Sequence, residues 1–362
     1  MRSFPSSPSP IDLARVRRVL VVKLSSFGDV VHVTPCLRAI RRACPGAEIL
    51  VAVDGTWAPA LRPDPYVDGV IAADPRRRRF LPSWIDARRR LAQHPGPRFD
   101  LAVDFQGLSR SAAWIYASGA RWRTGRGGRR PGWQLTVPPD LERHAVQACA
   151  GIAEHIGIAV PDLEPRLFFS AAADQAIEGA LDAVGAPRSN FVLVNPFGRW
   201  RSKIWPDERW AALIRRVRVD VGVTVVVAGG PDEERAAQRL LALLSPSPPP
   251  SLVGKTSLAE AICLYRRAAL VVSGDSGPAH AAAAVGTPVV ALFGPTWPER
   301  TGPWGENHRV IQASRAPSHD AYRDGGARRH IEAIDVGAVL EAVAALYDQR
   351  RAGGQRSAGG TF

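Results

Sequence analysis

The stretch VVKLSSFGDVVHVTP, Val21 to Pro35, decides the fold. Its opening completes the strand-length, mostly apolar segment VLVVKL at 19–24, and a helical pattern begins after Ser25-Ser26-Phe27-Gly28-Asp29. A strand apolar on both sides belongs in a parallel sheet covered on both faces, and in such sheets functional groups sit in the loops beyond the strands' carboxyl ends. Asp29 occupies such a loop and has two readings. Asp is favoured where a helix starts, so it could be a cap. It could equally be a base, with Gly28 letting the loop pass close to a ligand. Thr34-Pro35 also has the form of a helix start, which leaves the capping position itself open.

The same alternation spreads outward from this unit. Strands are expected at 19–24, 48–54, 69–74 and 99–105, with helical stretches such as SAAWIYASGA between them. A second series follows at 191–198, 223–230, 269–277 and 288–295. PDERWAALIRRVR and PDEERAAQRLLALL open on Pro and acids, the chemistry of a helix entry. PDLEPRLFFS breaks the alternation, and the chain reads as two α/β halves. The expected division is a disordered tail at 1–15, an N-terminal domain at 16–165, a linker and lead-in helix at 166–190, a C-terminal domain at 191–350, and a second tail at 351–362.

At 362 residues and 46 % hydrophobic content, two cores can be filled. The charge-free stretch Pro278 to Trp297 is divided by Pro278, Gly286, Pro288, Gly294 and Pro295, which argues against a membrane span. The four cysteines show no metal-type spacing and no cleavable leader is evident, so a reducing cytoplasm is expected. The net charge of +13 favours an anionic partner, although an Arg-rich solvated surface gives the same total. Only three of the 47 basic residues are lysines, and Lys23, Lys203 and Lys255 all fall at strand ends or in the loops beyond them.

Four further loops carry candidate chemistry. In SGDSGPAH, Ser276 and Gly277 would present backbone N–H groups to a phosphate, Asp275 could take sugar hydroxyls, and His280 would lie in the first helical turn. NPFGRWRSKIWP sets Arg199, Arg201 and Lys203 beyond a strand, cations suited to a diphosphate. GGPDEE, with Asp232 and Glu233, and GKTSL, with Thr256, occupy the next two. Arg76 to Arg79 form a basic run in the first half, with the aromatic residues Phe80 and Trp84 close by. No D-x-D, HExxH, G-x-S-x-G or Walker A pattern occurs, which disfavours metal-built, esterase and P-loop sites.

In order, KLSSFGDVVHVTPCLRAIRR, DLAVDFQGLSRSA, KIWPDERWAALI, GGPDEERA, GKTSL and SGDSGPAH resemble glycosyltransferase family 9, the ADP-heptose:lipopolysaccharide heptosyltransferases. The likeness runs from about residue 18 to 345. It implies a GT-B architecture, in which two Rossmann-like domains with parallel sheets face across a cleft. It also implies inverting, metal-independent transfer of a heptose from ADP-heptose, with no cofactor, to a lipopolysaccharide-core-type acceptor. Asp29 would be the base. Lys203, Asp275, Ser276, Gly277, His280, Thr256, Asp232 and Glu233 would hold the donor, and Ser26, Gly28, Gln106, Arg110 and Arg76, Arg77, Arg78 and Arg79 would hold an anionic lipid-linked saccharide. A peripheral place on the cytoplasmic face of the inner membrane is implied, and no specific nucleic-acid partner. A member using another nucleotide-sugar, another GT-B enzyme, and a non-catalytic Arg-rich binder of RNA or anionic membrane are the competing readings.

Overall fold

A computed structural model describes residues 11–77, 79–127, 135–137, 140 and 142–358. The chain divides into two compact units, Met1–Phe168 and Phe169–Phe362.

In the first unit the order is β1 (Arg18–Val22), α1 (Phe27–Ala43), β2 (Glu48–Asp54), α2 (Ala58–Leu61), β3 (Gly69–Ala73), α3 (Phe80–Leu91), β4 (Leu101–Asp104), α4 (Ser109–Ser118), β5 (Trp122–Arg126), β6 (Leu135–Val137) and α5 (Ala145–Glu154). The strands lie in the order β3-β2-β1-β4-β5-β6, all parallel, with Val21 of β1 level with Val51 of β2 and Val103 of β4. Alternate side chains of β1 feed two cores. Val19 and Val21 pack with Val33, Leu37 and Ile40 of α1 and Ile152 of α5, while Leu20 and Val22 pack with Ala87 of α3 and Trp114 and Ile115 of α4. That two-sided burial is why the strand reads as an unbroken apolar run.

The second unit runs α6 (Ala171–Ala183), β7 (Val192–Asn195), α7 (Asp207–Arg216), β8 (Val225–Val227), α8 (Glu234–Ala242), α9 (Leu258–Arg267), β9 (Leu270–Gly274), α10 (Gly277–Ala284), β10 (Val289–Leu292), α11 (Pro298–Thr301), β11 (His308–Ile311), α12 (Arg328–Glu332) and α13 (Val336–Ala358). Its parallel sheet has the order β11-β10-β9-β7-β8. Trp210, Leu213 and Ile214 of α7, Leu240 of α8 and Val339 and Val343 of α13 cover one face through Val192 and Val194. Two doubly wound parallel sheets are the GT-B type of architecture that the resemblance implied. Each sheet has one place where the strand order reverses, between β1 and β4 in the first and between β7 and β9 in the second, and such crevices are where open α/β sheets bind ligands.

Several expectations need adjustment. The helix does not start at Thr34-Pro35, because α1 runs from Phe27 straight through Pro35. Proline removes the N–H that would bond the carbonyl of Val31, and Thr34 Oγ1 donates to that carbonyl instead at 2.9 Å. Gly28 consequently lies in the first helical turn and not in the loop. Within the stretch expected as a tail, Ile11 is buried in the first core and Leu13–Arg15 form a 3-10 turn. At the other end α13 continues to Ala358, through Gly353 and Gly354. Residues 1–10 and 359–362 lie outside the described residues. Strands β5, β6 and β11 carry no continuous apolar run and were not expected from the sequence. Among the described residues no helix is long and apolar enough to cross a membrane.

Candidate active site

At the β1/β4 crevice the chain leaves β1 through Lys23, Leu24 and Ser25, and Ser26 stands at the N-cap of α1. Asp29, in the third helical position, turns its carboxylate back. Its Oδ2 accepts from the Ser26 N–H at 2.9 Å and from Ser26 Oγ at 2.7 Å. Its Oδ1 lies 3.5 Å from Lys23 Nζ, which also donates to the Phe105 carbonyl at 3.2 Å. Lys23 is buried whereas the Asp29 side chain stays 44 % exposed, so the carboxylate is fixed from behind and open in front. Partial burial pushes its pKa up, but the charges of Lys23 and His32 and the two bonds from Ser26 hold it well below the ordinary carboxylate range. Asp29 thus takes part in the capping box of α1 as its third helical residue, with Ser26 as the N-cap, and still presents a carboxylate to solvent.

Gln106 and Arg110 brace this loop. Gln106 Oε1 accepts from the Ser25 N–H at 3.0 Å, and the Arg110 guanidinium donates to Ser25 Oγ. Arg110 is only 8 % exposed and forms a 3.2 Å ion pair with buried Asp54 at the end of β2, so most of its donors face inward. Asp104 closes β4: it accepts from the N–H groups of Gln106 and Gly107 and from Ser111 Oγ, and burial pushes its pKa up to about 6. Arg76, Arg77 and Arg79 are exposed beyond β3, on the sheet edge two strands from β1, with Arg76 and Arg77 both on Asp74. Arg78 lies outside the described residues.

Arg110→Leu is expected to destabilise the first unit by about 3–5 kcal/mol, because Asp54 would keep a buried charge without its partner. Urea denaturation checks this, and the double variant Arg110→Leu/Asp54→Leu should recover most of the loss.

At the β7/β9 crevice the donors and acceptors converge on Asp275. Lys203, in the 3-10 turn Arg201–Lys203, donates from Nζ to Asp275 Oδ2 at 2.6 Å, and Thr296 Oγ1 donates to the same oxygen at 2.6 Å. Burial raises the Asp275 pKa, but Lys203, Thr296 and His280 together bring it below the ordinary value. Lys203 Nζ also sits 4.6 Å over the ring of Tyr322. Immediately beyond Asp275, Ser276 is the N-cap of α10 and Gly277 its first residue, with buried His280 in the same turn. The Ser276 hydroxyl turns back to Ser273 Oγ and the Gly274 carbonyl, and the first N–H groups of a helix have no intrahelical partner. A cation, a buried carboxylate and helix-start amides thus meet at one strand end, which suits an anionic leaving group next to a polyhydroxylated one.

Beside this cluster a depression of about 510 Å³ is lined by Arg199, Trp200, Arg201, Tyr322, Arg323 and Arg328, among others. On the far side of β7, the Gly254 N–H donates to the Gly229 carbonyl at 3.0 Å, bringing the Thr256 loop against the one that carries Asp232 and Glu233. Glu233 folds back to accept from the Gly230 N–H at 2.7 Å, and Asp232 is left exposed.

The sequence model of glycosyltransferase family 9 (heptosyltransferase) matches residues 88–325. The chain belongs to this family. Among curated relatives, lipopolysaccharide heptosyltransferase 1 of Salmonella typhimurium is 30 % identical over 315 residues, which cover 80 % of this chain and 92 % of that protein. Among solved structures, the family 9 glycosyl transferase of Veillonella parvula superposes with a TM-score of 0.81 at 22 % identity, over 92 % of this chain and 98 % of that one. Escherichia coli heptosyltransferase WaaC, solved with ADP, superposes at 0.70 with 25 % identity, over 91 % and 99 %.

For this family 9 glycosyltransferase, sequence reasoning missed Thr296 and Tyr322. Thr296 lies four residues beyond β10, so the strand-end rule could have found it. Tyr322 sits in the 3-10 turn His319–Arg323, and no local pattern points to it. Among the described residues no group of three or more His, Cys, Asp or Glu side chains is placed to hold a metal ion.

Proposed function

We propose that this family 9 member is an inverting heptosyltransferase that moves a heptose from ADP-heptose to an anionic, lipid-linked saccharide of the lipopolysaccharide-core type, at the cytoplasmic face of the inner membrane. The observation that carries the reading is the arrangement around Asp275, where one buried carboxylate, Lys203 and the start of α10 lie side by side at the strand-order reversal. The solved E. coli relative with ADP supports the nucleotide assignment.

In the proposed step the acceptor hydroxyl attacks the anomeric carbon from the face opposite the diphosphate, and Asp29 takes its proton. The bond from the anomeric carbon to the diphosphate oxygen breaks, and ADP leaves with the negative charge. Lys203 and the Ser276 and Gly277 amides meet that charge without a metal ion, as preorganised donors that need no rearrangement when it develops. Asp275, held ionised, accepts from sugar hydroxyls. His280 lines the same pocket, and Thr256, Asp232 and Glu233 contact the nucleoside. Ser26, Gly28 and Gln106 shape the acceptor side, with Arg110 holding the loop and Arg76, Arg77, Arg78 and Arg79 meeting the acceptor's anionic groups.

The test is thermal stabilisation. ADP at about a hundredfold excess over its Kd is expected to stabilise the protein by about 2.7 kcal/mol, a rise of several degrees in Tm. UDP and GDP should give a smaller rise at the same concentration. An equal response to all three nucleotides would remove the adenine assignment, and no response to any would remove the nucleotide-sugar reading.

A further inference from the structure

We infer that the outward face of α3 is a docking surface for a bilayer carrying anionic phospholipids. A surface helix ordinarily turns its apolar stripe to the core, and α3 does the reverse. Its buried positions are the small Ser83 and Ala87, which allow close packing on the body of the unit. Of its large apolar residues only Leu91, at the last position, packs inward, and the other four point away: Phe80 is 43 % exposed, Leu81 62 % and Ile85 55 %, with Trp84 partly exposed among them. Residues at i, i+1, i+4 and i+5 share one side of a helix, so the four make one continuous face.

The rim of that face is basic. Arg79 precedes the helix, Arg88 stacks 5.7 Å from the Trp84 ring centroid, and Arg89 follows; all three are exposed. Among the described residues the ion pairs of this segment use Asp74 and Asp86 for Arg76, Arg77 and Arg90, and leave Arg79, Arg88 and Arg89 without a carboxylate. Aromatic and aliphatic side chains that enter the acyl boundary, ringed by arginines at headgroup level, are the pattern of a helix lying in a membrane interface. The three unpaired arginines select anionic headgroups, each adding attraction that falls off within a Debye length. A protein partner would have to cover the same face with carboxylates. The basic rim and the isolated apolar ridge favour the bilayer, whose fluid surface needs no matching shape.

The inference stands on α3 and not on the donor chemistry, so its failure leaves the proposed reaction untouched. The experiment is flotation of the full chain with lipopolysaccharide-free vesicles of phosphatidylcholine, with and without 30 mol% phosphatidylglycerol as an order-of-magnitude choice of about one anionic lipid in three. The expected result is partition onto the anionic vesicles, reduced about tenfold or more in Leu81→Asp/Ile85→Asp and also reduced in Arg88→Gln/Arg89→Gln. These residues are exposed, so the variants should keep the wild-type Tm. A polarity-sensitive dye on Leu81→Cys should shift to the blue on the same vesicles, whereas the dye on Val219→Cys, 80 % exposed in the second unit, should not. Undiminished binding by Leu81→Asp/Ile85→Asp, or equal shifts at both dye positions, would overturn the assignment, as would a wild type that stays with the unbound fraction.

Discussion

Asp29→Asn is expected to lower the rate of sugar transfer by about 10²- to 10⁴-fold, the usual contribution of a positioned general base. The fold should hardly notice. Asparagine keeps a carbonyl oxygen for the Ser26 N–H and hydroxyl, and with nearly half of the side chain in solvent the lost charge interactions with Lys23 and the helix start should cost about 1 kcal/mol or less. ADP binding should be unchanged, because the Lys203–Asp275 cluster belongs to the other unit. Asp29→Ala should match the Asn variant in rate and lose somewhat more stability, since it also removes the acceptor of the capping contacts. A purely structural Asp29 would give the opposite split, with transfer preserved and Tm lowered.

A carboxylate held this far below its ordinary pKa is a weak base in the resting protein. The proposed chemistry tolerates that weakness, because the acceptor oxygen becomes steeply more acidic as its bond to the anomeric carbon forms, and its proton can leave late. The pH dependence follows. A folded-state pKa below the unfolded one means that Asp29 contributes stability above the unfolded value of 3.8, and that this contribution is lost as pH falls through the lower folded value. Transfer should therefore show no acid limb from Asp29 near neutrality. Lys23→Met removes the largest of the lowering influences, so a pH–rate profile of that variant should move the acid limb upward.

Lys203→Met is expected to remove two things at once. Transfer should fall by about 10²- to 10³-fold through loss of one preorganised donor to the leaving group. Stability should fall by about 3–5 kcal/mol, because Asp275, whose side chain is 4 % exposed, keeps a charge that only Thr296 and more distant groups then satisfy. The double variant Lys203→Met/Asp275→Asn separates the effects. It should regain most of the denaturant midpoint, as the uncompensated charge is gone, and regain no activity. Recovery of both together would make the pair a structural ion pair alone.

The path from sequence to these sites was uneven. The central strands of both sheets were legible because side chains such as Val19, Leu20 and Val22 are buried on both faces, and an unbroken apolar run is the trace of that burial. Edge elements were not. In β5 the fully buried positions are Thr124 and Gly125, the latter against Asp104, and with only Trp122 packing beside them they give no apolar run. Asp29, Lys203 and Asp275 could be singled out because each follows a strand. Their roles needed contacts that spacing cannot show: Lys203 and Asp275 are 72 residues apart in sequence and share a hydrogen bond. The inward turn of Arg110 was invisible for the same reason, since its partner Asp54 ends a different strand. The outward apolar face of α3 was hidden by ambiguity, because Phe80 and Trp84 in sequence look like any helix's core residues.

The most direct test of the whole account is release of ADP from ADP-heptose, followed with and without a lipopolysaccharide-core acceptor that lacks heptose. The account predicts rapid release only when the acceptor is present, transfer of the heptose to that acceptor with inversion at the anomeric carbon, and loss of the acceptor-dependent rate in Asp29→Asn while ADP-heptose still binds. Acceptor-dependent release at the wild-type rate in Asp29→Asn would contradict it, and so would a wild type that binds ADP-heptose yet transfers nothing.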